Sequence, residues 1–340
     1  YVTGGLTVSD SLFQNNHSTT GAGGAIFSGG VTTMTDTQLV DNTAQLSGGA
    51  VYVLGELHFT NGLFQGNQSS SNGGGLFSFS QTTLQYTQFL SNTAHNQGGG
   101  ASAPGVLTIT NGLFQNNQTN VGIGGGLFGQ DFATLHSTQF VSNTAASRGG
   151  GMYMLGAVTL TQSLFENNQS VLGSGGGLHG FGAITVDSTQ FLGNVAIEGG
   201  GVYQGFDKDG RFTNSLFADN QATNEVGAAM LFASSGTVEV MHITVGADSL
   251  MSGAAVGVVS GTVGISNTII VSHAIGISQT AGLVSQDYNL FFGNGVDARG
   301  TVSGGANSLT GNPHFRGGYH LDVGSAAIDA GTDLNVLTDF

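Results

Sequence analysis

The sequence predicts an all-β chain, a right-handed parallel β-helix (β-solenoid) of about 13 coils with about 25 residues in each. Three observations carry this expectation: a motif that returns at a fixed period, apolar–polar alternation inside it, and a glycine cluster at one point of every period. Phe13, Leu39, Phe64, Phe89, Phe114, Phe140, Phe165, Phe191 and Phe217 follow one another at spacings of 25 or 26, and each has an Asn three residues later. Nine matches at one period do not arise by chance.

Ahead of the repeat Phe, segments such as Leu107-Thr108-Ile109-Thr110 and Val158-Thr159-Leu160-Thr161 alternate apolar and polar residues, the period-2 pattern of a half-buried strand. After the Asn come clusters such as Gly73-Gly74-Gly75-Leu76-Phe77 and Gly149-Gly150-Gly151-Met152-Tyr153, where glycine supplies positive φ or close backbone approach at a corner. Each coil therefore holds at least two strands and a glycine corner. One such coil cannot bury its inward face. Stacking coils about 4.8 Å apart buries that face continuously and pairs the backbone along the axis, giving a rod of roughly 60 Å with no helix longer than two turns.

The coils alternate in kind. Ser11-Leu12-Phe13, Gly62-Leu63-Phe64 and Gly112-Leu113-Phe114 occupy odd turns, and Thr37-Gln38-Leu39, Thr87-Gln88-Phe89 and Thr138-Gln139-Phe140 occupy even ones. The true unit is thus a two-coil repeat of about 51 residues. The Asn column from Asn16 to Asn220 is expected to bond to itself and to turn backbone rather than to a ligand.

The whole chain, 1–340, is expected to form a single β-helix domain, with regular two-coil repeats over 1–232 and degenerate coils plus a closing segment over 233–340. Its 60 glycines, 2 prolines and 39% hydrophobic residues allow a core and exclude disorder and collagen. A net charge of −15 with only 5 Lys+Arg leaves no basic stripe to neutralise phosphates, so nucleic acid is excluded as a partner. No cysteine is present, which rules out disulfides. The most apolar stretch, Gly253 to Ile265, is broken by Gly257, Ser260, Gly261 and Gly264, so no segment is expected to insert in a membrane. The opening Tyr1-Val2-Thr3-Gly4-Gly5 reads as the middle of a repeat and the sequence stops at Asp339-Phe340, which suggests a fragment of a larger chain.

The paired motifs, a Gly-Gly-X-aliphatic cluster and Phe-X-X-Asn, resemble the repeats of polymorphic outer-membrane proteins and of secreted bacterial right-handed β-helix proteins, over about residues 1–232. The later order of Asp287-Tyr288-Asn289-Leu290-Phe291, Asn312-Pro313-His314-Phe315 and Gly324-Ser325-Ala326-Ala327-Ile328-Asp329-Ala330-Gly331 is similar to the closing segment of β-helix proteins of the choice-of-anchor type. This resemblance implies an extracellular or cell-surface location and an adhesive or scaffold role. It carries over no catalytic residue.

The residues themselves offer little chemistry. Polysaccharide lyases and epimerases with this fold need a base beside carboxylates or a cation, yet of Arg148, Lys208, Arg211, Arg299 and Arg316 only Lys208 and Arg211 lie close together. No enzyme is therefore expected, and a carbohydrate-active enzyme stands as the alternative. Asp207 and Asp209, alternating before Gly210, are the candidate metal ligands, for calcium through carboxylate oxygens; no other cofactor is expected. The histidines are scattered at unequal coil positions, which does not suit zinc. A column from Thr7 to Arg211, with its neighbour two residues on, is rich in Thr. His58, Gln85, His136, Asp187 and Arg211 break it, so ice binding is only a second alternative.

By alternation, Ile26, Val51, Leu76, Leu127, Met152, Leu178 and Val202 point inward, turning Phe27, Tyr52, Phe77, Phe128, Tyr153, His179 and Tyr203 outward. An exposed aromatic stripe marks a contact surface; the other reading is that the rings pack on one another or under loops. Phe27, Tyr52, Phe77, Phe128, Tyr153 and Tyr203 are the candidate binding residues, with a glycan or a surface protein as partner. End-to-end self-association is a further option for stacked coils.

Overall fold

The structure, a computed structural model, describes residues 1–334, so Asp339 and Phe340, where the sequence stops, lie outside the described residues. Within them the chain is all-β and no helix is formed. One coil shows the path. Val51–Val53 leads to Leu57–Thr60, then Leu63–Gln65, then Gln68–Ser69, after which a glycine corner returns the chain one level up at Leu76–Ser78. Each strand pairs in parallel with its equivalent one coil away, as in Leu57↔Thr82, Phe64↔Phe89 and Gln68↔Thr93. These ladders build three sheets of 24, 9 and 12 strands, a parallel β-solenoid. The 12-stranded sheet takes one strand per coil, giving about twelve coils among the described residues, in line with the about thirteen expected; the last stretch of chain departs from the coil path.

The corners explain the composition. The bend between the two outward-bowed strands of the long sheet carries a positive φ at Asp36, Asn61, Tyr86, Asn111 and their equivalents, and the next bend does so at Asp41, Ser91, Asn116 and Asn167. Asp, Asn and Ser recur there because their short polar side chains tolerate left-handed backbone. At the third corner Gly73 has φ +65°, and a Cβ on Gly74 would lie 2.1 Å from the Gly99 carbonyl oxygen of the next coil. No side chain fits between backbones at that distance.

Inside the rod, the repeat Phe column from Phe64 to Phe217 is fully buried and stacks with itself: Phe64–Phe89 and Phe89–Phe114 have ring centroids 4.6 Å apart and planes within 4° and 5° of parallel. That distance is one coil. Beside it the Asn column closes on itself. Asn67 Nδ2 donates to Asn92 Oδ1 at 2.9 Å and to the Leu39 carbonyl at 2.8 Å, while its own Oδ1 accepts from both the backbone N and Nδ2 of Asn42. The pattern continues link by link to Asn220. Buried amides with every partner present rigidify a core instead of weakening it.

Beyond Gln221–Ala222 the third sheet ends and the coils shorten, with Val238↔Val263, Val263↔Val284 and Val284↔Val302 paired at successively smaller sequence offsets. The solenoid tapers. An antiparallel pair, Phe315–Arg316 with His320–Leu321, then turns the closing segment back along the long sheet. There Asn267 Oδ1 accepts from the Thr332 backbone N–H at 2.9 Å and its Nδ2 donates to the Thr332 carbonyl at 2.6 Å.

Candidate binding surfaces

The aromatic residues following the inward aliphatic column do form one row across the 12-stranded sheet, but the row is less exposed than alternation predicted. Phe77, Phe128, Tyr153 and His179 are buried, and Phe27, Tyr52 and Tyr203 are half-buried. The rings cover one another. Tyr1, Phe27, Tyr52 and Phe77 stack in series at 4.7–5.0 Å, and Phe128, Tyr153, His179 and Tyr203 form a second series at 4.6–5.9 Å. Phe181 adds an edge-on ring against Tyr153 and His179, and Phe206 packs on Phe181. The two series are separated by Ser102, whose Oγ is buried with no hydrogen-bond partner. Of the candidate residues, Phe27, Tyr52 and Tyr203 keep ring surface open to solvent, and Tyr1 and Phe206 are exposed at the margins of the row.

The second series has unusual electrostatics. Burial pushes the His179 imidazole down to about 3, the nearby Arg148 guanidinium adding to the effect and a bond from Ser174 opposing it; Ser174 Oγ and His179 Nδ1 are 3.0 Å apart. His179 Nε2 is buried without a partner. Burial likewise raises Tyr153, against the attraction and hydrogen bond of Arg148, and raises Tyr203 with help from Glu198. The stack therefore holds its imidazole neutral, which suits ring packing and removes it as a base at neutral pH.

The Asp207–Arg211 turn is bound to the coil above it. Asp207 Oδ1 accepts from Ser235 Oγ, Asp209 Oδ1 accepts from the Thr237 backbone N–H at 2.9 Å, and Gln204 Nε2 donates to the Lys208 and Asp209 carbonyls. Arg211 pairs with Glu239 at 2.6 Å on the surface. Each carboxylate thus uses one oxygen to secure the neighbouring coil, and no group of three His, Cys, Asp or Glu suited to a metal ion occurs among the described residues.

The Thr-rich columns lie on the outer face of the long sheet, in register from Thr33↔His58 to Thr185↔Arg211. His58 and His136 are exposed there. A shallow groove follows the bend of this sheet between His136, Gln139, Gln162, Leu164, Asp187 and Gln190. A deeper crevice, about 590 Å³, opens where the closing segment lies back on the solenoid, between Asn267, Tyr288, Arg316, Tyr319 and His320. Tyr319 there is raised far above its usual value by burial and by the Asp219 and Asp248 carboxylates. Sequence reasoning did not find this crevice because its walls come from segments far apart in sequence and outside the repeat.

With the geometry in place, comparison with known proteins adds one finding. The family model described as the Chlamydia polymorphic membrane protein (Chlamydia_PMP) repeat matches residues 10–29, the stretch that contains Phe13-Gln14-Asn15-Asn16 and Gly23-Gly24-Ala25-Ile26. No curated protein and no solved structure compared with the chain matches it. The matched motif supplies the stacked Phe, the Asn ladder and the glycine corner, so the chain is a parallel β-solenoid whose repeat is similar to that of the polymorphic membrane proteins.

Proposed function

We propose that the chain is a rigid structural segment of a cell-surface protein, and that it adheres to a glycan or partner through a repetitive outer face rather than acting as an enzyme. The observation that carries this reading is the regularity of the rod. From Asn16 to Asn220 the interior is closed by one uninterrupted Asn ladder, and from Phe64 to Phe217 by one Phe stack, while the outside repeats the same short polar positions coil after coil. Such a rod keeps distance and presents many equal, weak contacts, whose joint effect rises through effective concentration. The matched repeat is that of the polymorphic membrane proteins of Chlamydia, which supports a place at a cell surface. Against catalysis, the Arg211 guanidinium is held in an ion pair with Glu239, and the exposed Lys208 sits in a turn whose backbone is bonded to Ser234 of the next coil.

The test is retention. Beads carrying the folded chain are expected to be held on cultured cells or on immobilised glycans above beads carrying an unrelated solenoid. Equal retention of both bead types overturns the adhesive part, and turnover of a polysaccharide abolished by Lys208→Ala or Arg211→Ala overturns the non-enzymatic part.

A further inference from the structure

The two-coil repeat writes a pattern on the outside of the long sheet. In the strand that carries the repeat Phe, the residues on either side of the ring point outward. In odd coils they read Leu12 and Gln14, Leu63 and Gln65, Leu113 and Gln115, Leu164 and Glu166; in even coils Gln38 and Val40, Gln88 and Leu90, Gln139 and Val141, Gln190 and Leu192. Parallel register sets each pair directly on the next: Leu63↔Gln88↔Leu113↔Gln139 in one column and Gln65↔Leu90↔Gln115↔Val141 in the other. The result is a checkerboard in which Leu63, Leu90 and Leu113 each have amides above, below and beside them. It runs through eight coils and ends at the ninth, where the buried Leu216 and Ala218 pair with Gln190 and Leu192. All of these side chains are exposed or half-buried.

A second observation concerns charge. From Leu57 through Gln130 the sequence has no Asp, Glu, Lys or Arg, in a chain of net charge −15. Three coils of the checkerboard, those of Leu63, Gln88 and Leu113, lie inside this uncharged belt. They are flanked by Thr83, Thr108 and Thr110 on one side and by Gln68, Thr93 and Gln118 on the other.

We infer that this checkerboard face, centred on Leu63, Gln65, Gln88, Leu90, Leu113 and Gln115, binds an uncharged linear polysaccharide of the β-1,4-linked type lying along the solenoid axis. The inference rests on the adhesive reading above and gives it a face and a ligand class. Three features of the face select that ligand. Successive aliphatic residues alternate between the two columns and climb one coil each time, a rise of 4.6–4.8 Å by the stacked rings beneath them. That is the symmetry of a two-fold screw, and a β-1,4-linked pyranose chain turns each unit over with a rise close to one coil. An extended peptide also has two-fold alternation, but its rise of about 3.4 Å falls out of step within a few residues. Second, a Gln amide offers both donors and an acceptor, which suits hydroxyl groups, and an isolated aliphatic group suits the C–H face of a sugar ring. Third, the absence of charge keeps the desolvation cost of an uncharged polymer low. A second copy of the chain is a poorer occupant, since the amides divide the apolar groups and leave none of the continuous apolar core that stable protein interfaces contain.

The experiment uses the full chain and a parity swap in the central coils, Leu63→Gln with Gln65→Leu and Leu113→Gln with Gln115→Leu, which keeps composition, charge and core while removing the alternation. Binding is measured by co-sedimentation with cellulose and chitin and by calorimetry with their soluble oligomers, with starch and dextran as α-linked controls. The expected result is retention on the β-1,4 polymers and not on the α-linked ones, affinity that grows with oligomer length, and a loss of about tenfold or more in the swap at unchanged thermal midpoint. Equal binding by the swap and the parent overturns the inference and moves glycan binding elsewhere, leaving the adhesive reading intact. Binding to none of these polymers overturns it while bead retention on cells still tests the adhesive reading separately. Self-association of the parent, abolished in the swap and accompanied by no glycan binding, overturns it in favour of an interface between copies.

Discussion

The His179 imidazole lies flat on the Tyr203 ring, with centroids 4.6 Å apart and planes 4° from parallel, and its other face meets Tyr153 at 4.9 Å and 2°. A histidine in the middle of a ring ladder ties the stability of the rod to pH. Burial, and then Arg148, hold its folded-state value at about 3 against 6.5. Below about pH 6.5 the unfolded chain takes up a proton that the native stack refuses. Stability is therefore complete above that pH and falls as the pH drops from about 6.5 toward 3, by an amount on the order of a few kcal/mol.

His179→Phe should keep the stack and flatten that fall. The comparison is made by urea unfolding between pH 7 and 4.5, above the range where most carboxylates titrate. His273, also buried and lowered by desolvation, leaves a residual slope in the variant. Loss of the Ser174 contact shifts the curve by a constant but does not change its slope. Parallel curves for parent and variant would refute the assignment.

The aromatic row separates packing from binding through its own gradient of burial. Tyr153, 5% exposed and stacked on Phe128 and His179, should lose about 3 kcal/mol on change to Ser, in the range for large-to-small core substitutions. Half-buried Tyr52, also stacked on both sides, should lose about half as much. Chemical denaturation of the two single variants decides this. Equal and negligible losses would show that the stacked rings contribute little, and would return the row to the list of open contact surfaces.

Ser102 is the one break in that row, and it is fully buried with its hydroxyl unpartnered. An unpaired buried hydroxyl costs about 1–3 kcal/mol, and Ala keeps the same Cβ in the strand. Ser102→Ala should accordingly raise stability by about 1 kcal/mol. A thermal midpoint that falls instead would mean that the hydroxyl is paired in solution.

The coil period, the parallel stacking, the Phe core and the Asn ladder were legible in the sequence because each is a local pattern repeated in phase; Phe13 with Asn16 already contains the unit. What the sequence left open was whether the aromatic row is exposed or packed on itself. Alternation tells which way a side chain such as Phe128 points, but not that the ring one coil away will cover it, since that depends on ring size and axial distance together. The checkerboard was also present in the text as the alternation of Leu63 and Gln88. It becomes a surface only when parallel register places Gln65 beside Leu63 and Leu90 above Gln65. The crevice around Asn267 and Tyr319 had no signal at all, because Thr332 reaches Asn267 through a chain reversal that no repeat encodes.

The Asn ladder should be far more sensitive at its centre than at its end. Asn117 Oδ1 is the acceptor for both the backbone N–H and Nδ2 of Asn92, and Asn117 Nδ2 donates to Asn143 Oδ1 and to the Phe89 carbonyl. Asn117→Ala leaves the buried Asn92 N–H with no acceptor and withdraws a donor from two buried oxygens, so the loss should be about 3 kcal/mol or more. Asn16 is half-exposed, and its change to Ala removes one donor, Nδ2, from Asn42 Oδ1 while the backbone N–H still donates there and no buried N–H is stranded, which limits the cost to about 1 kcal/mol. Because each coil touches only its neighbours, a weak centre should also split the rod into two unfolding units. Urea titration is expected to show a lower midpoint for Asn16→Ala with an unchanged slope, and a lower midpoint with a broadened or two-step transition for Asn117→Ala. Hydrogen exchange at the Asn92 amide gives the local check: its protection should drop in Asn117→Ala beyond the drop at Asn194, three links away along the ladder. Equal effects of the two substitutions would mean that the coils, and not the ladder, carry the cohesion of the rod.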